Sequence, residues 1–389
     1  MRVDKSIFYL TIILITISII FVYSLSIYKC IHTQKVSEFH FFIRQLIAGG
    51  LGIVLMWYIS RLNPDKYFIP LGAILFGVFL FLMSIMQFLP PDLVKAVNGA
   101  KRWIKTPLGL SVAPVEFFKI GFVFFLAWSF ARRLSEHKKT LKEEIKLILP
   151  YIGVFLVAVY LIAILQNDLG QVVVLALTLA VMAFFAGTSA KLFILSILGA
   201  IAIATFAITT STHRILRIKT WWATIQNMVL SIFPDSIANT LRVHDAPEPW
   251  QISHSLNAIK HGGLFGMGIG GGTFKLGFLS EVHTDFVLAG MSEEVGAIGV
   301  TIITLSIIAI IYRIFKIANR SKDRVYYLFA LGIALLIAFS FLMNAYGVTS
   351  LIPIKGIAVP FLSYGGSSML ALSIGIGLVL MISKKADLK

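Results

Sequence analysis

Long apolar runs alternate with short polar breaks along almost the whole chain. Ten runs approach the roughly 20 residues that an α-helix needs to cross about 30 Å of hydrocarbon. They fall near 7–28, 39–60, 68–89, 114–132, 147–166, 169–187, 190–210, 285–313, 325–346 and 358–382. This pattern predicts an all-α polytopic membrane protein with ten transmembrane helices. The runs on either side of QNDLG (166–170) and GTSAK (187–191) are set apart only by those brief breaks. The first run follows Arg2 and Lys5 and is too long for the core of a signal peptide, so it is expected to be a retained span. One stretch interrupts the rhythm: 211–283 predicts a large loop between spans 7 and 8. Loops of that length without structure of their own are uncommon and are often functional. The expectation is a single membrane-embedded domain over 1–389 with this loop inside it.

Composition agrees with the pattern. Of 389 residues, 58% are hydrophobic and 13% are charged, with a mean hydropathy of +0.89. A soluble domain carries about 25% charged residues. The 34 Lys and Arg against 18 Asp and Glu would suggest nucleic acid in a soluble protein. Here the basic residues sit in short segments between apolar runs, so they read as cytoplasmic loops and contacts with anionic membrane lipid, and no nucleic-acid partner is expected. Five basic clusters (Arg2 and Lys5, Arg61 and Lys66, 131–146, 312–324 and 383–389) fall on one side if both termini are cytoplasmic. The 211–283 loop is then periplasmic. A single cysteine, Cys30, excludes an intramolecular disulfide.

Four polar groups lie in or beside the apolar runs, where ionisable side chains are costly unless used or paired. Arg44 stands inside the second run, in FFIRQLIAGG. In PVEFFKI, Glu116 and Lys119 share one helix face and can form either a structural ion pair or part of a site. QNDLGQ (166–171) reads as an outer turn with Asp168 in water. In HTDFVLAGMSEEVG (283–296), Asp285 precedes Glu293 by eight residues, about 12 Å along a helix. That is too far for a paired-carboxylate mechanism, so the two have different roles or Glu293 and Glu294 serve structure. Ser363 and Ser367, in PFLSYGGSSM, could flank an anion-binding turn or pack helices closely. RILRIKTWWATI (214–225) suits an amphipathic segment at the lipid interface, and the glycines from Gly262 to Gly272 mark flexible or closely approaching backbone. No HExxH, CxxC or EF-hand spacing occurs, so no metal site is predicted. These features leave two classes of function open, a membrane enzyme acting on an amphipathic lipid substrate and a transporter.

NGAKRWI, PVEFFKI, QNDLGQ, HTDFVLAGMSEEVG and IPIKGIAVPFLSYGGSSM together resemble, in order, the signature segments of the SEDS family, the bacterial FtsW, RodA and SpoVE group. The resemblance covers nearly the whole chain. It implies the ten-span SEDS fold and a peptidoglycan glycosyltransferase that polymerises lipid II, the undecaprenyl-pyrophosphate disaccharide-pentapeptide. Asp285 matches the family's catalytic aspartate. Arg44, Glu116 and Lys119 match polar residues of its cavity, and Lys355 matches a lysine of division-type members. The implied partners are a class B penicillin-binding protein transpeptidase and other divisome proteins, and the implied location is the inner membrane at the septum. The alternatives are lipid II translocation or an elongation-type polymerase.

On this reading Asp285 takes a proton from the acceptor hydroxyl. Arg44, Arg102, Lys119 and Lys355 are expected to stabilise the leaving pyrophosphate, with a divalent cation (Mg²⁺ or Mn²⁺) as a possible aid. His283 and Thr284 are expected to orient the turn. The chain departs from the family pattern at Asn167, where proline is usual, at Val115, where serine is usual, and at Ser280, where a proline is common.

Overall fold

The computed structural model describes residues 3–33, 37–94, 96, 100–106, 111–134, 140–210, 212–243, 250–353 and 356–386. Seven apolar helices come first: α1 (Lys5–Thr33), α2 (His40–Arg61), α3 (Pro64–Ile85), α4 (Pro114–Arg133), α5 (Leu141–Val159), α6 (Leu169–Phe185) and α7 (Ala190–Thr209). A π-helical turn, Tyr160–Leu165, continues α5. Then follow α8 (Thr212–Leu230), α9 (Asp235–Leu241) and α10 (Trp250–Gly262), and the chain closes with the apolar α11 (Val287–Asn319), α12 (Arg324–Val348) and α13 (Gly366–Ser383). A small hairpin of β1 (Ile104–Lys105) and β2 (Ser111–Val112) precedes α4, with Ile104 opposite Val112.

Each of the ten apolar runs therefore contains an apolar helix, although the last becomes helical only at Gly366. Eight of the helices, α1 to α5 and α11 to α13, are long and apolar enough to cross a membrane. The α6 helix has 17 residues, about 25 Å at 1.5 Å per residue, and α7 has 20. Among the described residues, then, eight helices are candidate spans by length and composition, and α6 and α7 supply two further apolar helices.

The α4 helix runs through the centre. Nearly every side chain from Pro114 to Phe130 is buried, and the helix packs against α3, α6, α12 and α13. At one end of the bundle the N-terminus of α1 meets the C-termini of α11 and α13. There Asp4 pairs with Arg313, Ser383 accepts from the Asp4 amide, and Lys385 pairs with Asp65 at the start of α3. The first turns of α2, α4, α6 and α13 point to the opposite end.

The stretch expected to be a long loop is largely helical. Trp221 and Trp222 do more than face lipid: their indole N–H groups donate to the carbonyls of Ser350 (2.9 Å) and Leu241 (2.8 Å). Beyond α10, the glycine-rich segment runs beside α11 and pairs with it. Met267 and Gly268 donate to the carbonyls of Glu293 and Glu294, while Ala297 and Ile298 donate to those of Gly263 and Leu264. This is possible because α11 is broken at Gly296, whose φ of 67° lies in the left-handed region, a conformation glycine adopts without steric cost.

Two carboxylates lock that segment. Glu293 accepts from the Thr273 amide (2.6 Å), the Thr273 hydroxyl (3.0 Å) and His261 Nδ1 (2.9 Å). Glu294 pairs with Lys275 at 2.6 Å and accepts from Ser24 of α1, with both ionic side chains almost fully buried. Removing one member of a buried ion pair leaves an uncompensated charge, which costs about 3–5 kcal/mol. Lys275→Met is therefore expected to lower stability by about that amount, whereas Lys275→Met with Glu294→Leu recovers most of it. Thermal unfolding in detergent measures both, and equal losses in the two variants would contradict the pairing.

Candidate functional site

A cavity of about 1370 Å³ opens at the end of the bundle away from the chain termini. Its polar wall is assembled from six segments of the chain: the start of α2, the β1–β2 hairpin with the first turn of α4, the turn before α6, the first turns of α8, the stretch before α11 and the stretch before α13. Arg44, Arg102, Glu116, Thr284, Asp285 and Ser367, all singled out in the sequence, line it. Lys355 lies outside the described residues.

Asp285 sits one residue before the Phe286 cap of α11. The Glu281 carbonyl accepts from the amides of Thr284 and Asp285, which forms the turn that aims Asp285 into the cavity. Glu281 itself adopts a left-handed φ of 54°, a strained conformation of the kind that collects at functional sites. Asn344 of α12 clamps the same place from behind, donating to the carbonyls of Asp285 (2.7 Å) and Ile357 (2.6 Å). On the open side Gly356, with φ +60°, leaves room: a Cβ there would stand 3.0 Å from Asp285 Oδ2.

Burial pushes the Asp285 carboxyl up to about 6, and the negative charges of Glu281 and Asp168 act in the same direction against Arg102 and Arg217. Charged at neutral pH yet close to its midpoint, the group is suited to accept a proton. Its neighbour Glu281 behaves otherwise. Burial would raise it, but the hydrogen bond and charge of Lys29 hold it below its ordinary value.

The turn expected to lie in water is part of the wall. Arg102 Nε donates to the Gln166 carbonyl (2.7 Å), and another guanidinium nitrogen donates to that of Asn167 (2.8 Å). The turn holds Asn167 at φ +50°. Proline, fixed near −65°, could not take that conformation, so the turn here differs from one built on the family's usual proline. Asp168 follows as the cap of α6, accepting from the Gln171 amide, and lines the cavity. Burial pushes it up too, opposed by Arg102.

Lys119, expected to meet substrate, does not line the cavity. It is buried, pairing with Glu116 Oε2 at 2.8 Å and donating to Gln171 Oε1 at 2.8 Å, while Gln171 Nε2 donates to Glu116 Oε1 at 3.1 Å. The resulting triangle ties α4 to α6. Glu293 and Glu294 likewise stand apart from the cavity, in the structural roles described above. His283 is buried 4.6 Å from the Phe41 ring. Burial, with help from Lys29, pushes its pKa down to about 4, so it is neutral at physiological pH and fills space behind the turn. Thr284 donates to the Glu281 carbonyl. The Ser363 hydroxyl donates to the Thr284 carbonyl (2.7 Å), joining the two strands of chain that carry the site. Ser367 accepts from the Ala113 amide (2.9 Å), fixing α13 to the start of α4.

Sequence reasoning passed over Asp168, Gln171, Asn344, Arg214 and Arg217 as site residues. A signal existed for two pairs. Asp168 and Gln171 have the spacing of a helix N-cap, and Arg214 and Arg217 are three apart on one helix face. Asn344 sits within an apolar run and gave none. Among the described residues there is no grouping of three or more His, Cys, Asp or Glu side chains able to hold a metal ion.

The family model of the FtsW, RodA and SpoVE cell cycle proteins matches residues 4–388, and the chain belongs to that family. It is 50% identical over 386 residues to the probable peptidoglycan glycosyltransferase FtsW of Helicobacter pylori, covering 99% of each chain. It is 33% identical to the stage V sporulation protein E of Bacillus subtilis, with 96% and 95% covered. Two solved structures share the fold across the entire chain: a component of a peptidoglycan synthase complex that coordinates polymerization and crosslinking (TM-score 0.71, 21% identity) and the rod shape determining protein RodA of Thermus thermophilus (TM-score 0.67, 22% identity).

The environment of Asp285 gives an expectation open to direct measurement. Isotope-edited infrared titration should place its protonation midpoint near 6, and Asp168→Asn should lower that midpoint by removing a neighbouring negative charge. A wild-type midpoint near 4 would contradict the placement.

Proposed function

We propose that the chain polymerises lipid II into glycan strands on the outer face of the bacterial inner membrane, during septal wall synthesis. The observation that carries this reading is Asp285, with a carboxyl pushed up to about 6, in a large cavity whose wall holds several cations. Arg44, Arg102, Lys105, Arg214 and Arg217 line it against Glu116, Asp168, Glu281 and Asp285. Two of those acids are already paired with lysines from outside the lining, Glu116 with Lys119 and Glu281 with Lys29. The cavity thus suits a substrate with sugar hydroxyls and a phosphate anion. Full-length identity to a division-type relative favours division over elongation.

The reaction needs one proton transfer and one displacement. Asp285 accepts the proton of the acceptor sugar hydroxyl as its oxygen attacks the anomeric carbon of the donor. The new glycosidic C–O bond forms, the bond to the lipid pyrophosphate breaks, and the electron pair leaves with the pyrophosphate. Donors pre-aimed at that leaving anion lower the barrier, and arginine matches phosphate oxygens bidentately. A divalent cation (Mg²⁺ or Mn²⁺), when bound, would supply further positive charge to the leaving pyrophosphate.

Orientation follows from charge. Arg61, Arg132, Arg133, Lys316 and Lys384 lie at or near helix C-termini; with this end cytoplasmic, the positive-inside rule is met, both termini are cytoplasmic and the cavity faces outward. A class B penicillin-binding protein transpeptidase is the proposed partner, supported by a structural neighbour from a complex that couples polymerization to crosslinking. Divisome proteins are proposed alongside it.

With purified protein and labelled lipid II, glycan ladders are expected. Asp285→Asn should reduce them by about 10²-fold or more, as for loss of a general base. Full ladders in that variant would remove Asp285 from the mechanism, and lipid II crossing liposomes without ladders would favour translocation. Because Asp285 must be ionised to act, the rate should rise with pH through about 6 and level off above it. Gly356→Ala should cost about 1–3 kcal/mol of backbone strain and crowd Asp285, so that turnover falls several-fold in protein that still folds. Unchanged turnover would show that the carboxylate does not use that space.

A further inference from the structure

We propose that the ion pair between Lys29, at the outer end of α1, and Glu281 holds the turn that aims Asp285, so that Lys29 and Glu281 are positioning residues acting through Asp285. The proposal rests on the polymerase reading. It brings into the site a helix that contributes no described residue to the cavity wall.

The chain before Asp285 is held in stages. Glu293 and Glu294 secure it at Thr273, Phe274 and Lys275. Beyond that point two helices grip it. From α10, Trp250 Nε1 donates to the Phe278 carbonyl (3.1 Å) and Gln251 Nε2 donates to the Ser280 hydroxyl (2.7 Å). From α1, the Tyr28 ring lies against Gly277, where a Cβ would stand 3.0 Å from it, and Lys29 pairs with Glu281. The later residues of the turn are held by α12 and by the chain before α13. Tyr364 donates its amide to the His283 carbonyl, Ser363 bonds that of Thr284, and Asn344 bonds that of Asp285. Lys29 therefore secures the first residue of a turn whose other end is fixed separately.

That first residue is the hub of the turn. The Glu281 carbonyl accepts from the amides of Thr284 (3.0 Å), Asp285 (3.1 Å) and Phe286 (3.4 Å), and from the Thr284 hydroxyl (3.0 Å). Rotation of this one peptide would redirect the Asp285 amide and the carboxylate with it. Glu281 also carries the left-handed φ of 54°, a conformation that persists in a residue with a side chain only where the surroundings over-determine it. Its carboxylate meets that need by pairing with Lys29 and accepting from the Thr284 hydroxyl (3.4 Å). The paired side chains are 41% and 49% exposed, and ion pairs so exposed add little to global stability. The effect of this pair is local.

The pair also balances charge beside the base. The charged groups facing Asp285 are Glu281 on its own turn, Asp168 before α6, Arg102 before β1 and Arg217 on α8. Those facing Glu281 are Lys29 on α1 and His283, and burial keeps that imidazole neutral. Losing either partner loosens the turn, yet the two losses act oppositely on charge. Without Lys29 the Glu281 carboxylate is unbalanced and raises the Asp285 midpoint; without Glu281 the midpoint falls.

The test uses full-length protein in lipid nanodiscs with labelled lipid II. The variants are Lys29→Met, Glu281→Gln, the two together, and the reversed pair Lys29→Glu with Glu281→Lys. Each single variant is expected to keep the wild-type melting temperature and KM while kcat falls about 10-fold, less than the 10²-fold that displacement by about 1 Å can cost. The double variant should be no worse than either single one, because both remove the same tie. The reversed pair should recover most of kcat. The acidic limb of kcat/KM should move to higher pH in Lys29→Met and to lower pH in Glu281→Gln. Additive losses or a reversed pair without recovery overturn the proposal. So does a raised KM with kcat intact, which would mark Glu281 as a substrate contact. Limbs that stay in place or move together overturn it as well, and so does a single variant that no longer folds, which would make the pair a support of the fold. Failure of the polymerase reading is separate: wild-type protein would form no glycan ladders, while isotope-edited infrared titration of Asp285 in the two single variants would still reveal the opposite shifts or their absence.

Discussion

A lysine buried in the middle of a membrane-embedded bundle has to be neutralised and hydrogen-bonded, because hydrocarbon offers neither water nor counterions. The triangle of Lys119, Glu116 and Gln171 meets that demand, and much of the site depends on it. It ties the central α4 to α6, so the turn before α6 is held against the bundle. Arg102 grips that turn from the other side through two backbone carbonyls. Asp168, at the end of the turn, is thereby fixed within electrostatic reach of Asp285. A pair that first looks like a candidate for substrate contact is instead the anchor that lets other residues make it.

The same economy governs the approach to Asp285. Glu293 and Glu294 look like additional acids but are consumed in holding the glycine-rich segment across the break in α11. Asn344 and Ser363 bind the backbone on either side of the carboxylate and leave its oxygens to the cavity. Rigid support with a free functional group is what a proton acceptor requires, since misplacement by about 1 Å can cost 10²-fold in rate. Left-handed backbone at Asn167, Glu281 and Phe361 is concentrated in the segments around the cavity, where surrounding hydrogen bonds can sustain it.

Much of this was legible along the chain. Helical apolar runs were readable because hydrocarbon leaves a spanning backbone no partner but itself. Asp285 and Arg44 were readable because charge beside apolar sequence is costly and must have a use, whereas Arg102 entered only through the family resemblance. Lys119 was misassigned for a physical reason: pairing and substrate contact demand the same residue types, and only the positions of Gln171 and the cavity wall separate them. Asp168 was misplaced because a polar turn between two apolar runs looks the same whether it meets bulk water or a cavity. The arginines of α8 were hidden for a related reason, since a basic amphipathic helix at a membrane surface and one closing a pocket share one periodicity.

Sequence alone determined where the apolar helices lie, where ionisable groups break the apolar pattern and which family the ordered motifs resemble, since these depend on local periodicity and composition. Only the tertiary structure decided which charges are spent on one another and which face the cavity. That division depends on contacts between residues far apart in sequence, such as Ser367 with Ala113 and Ser363 with Thr284. No local pattern encodes such contacts, because the cost of burying a charge is set by the neighbours that folding brings to it.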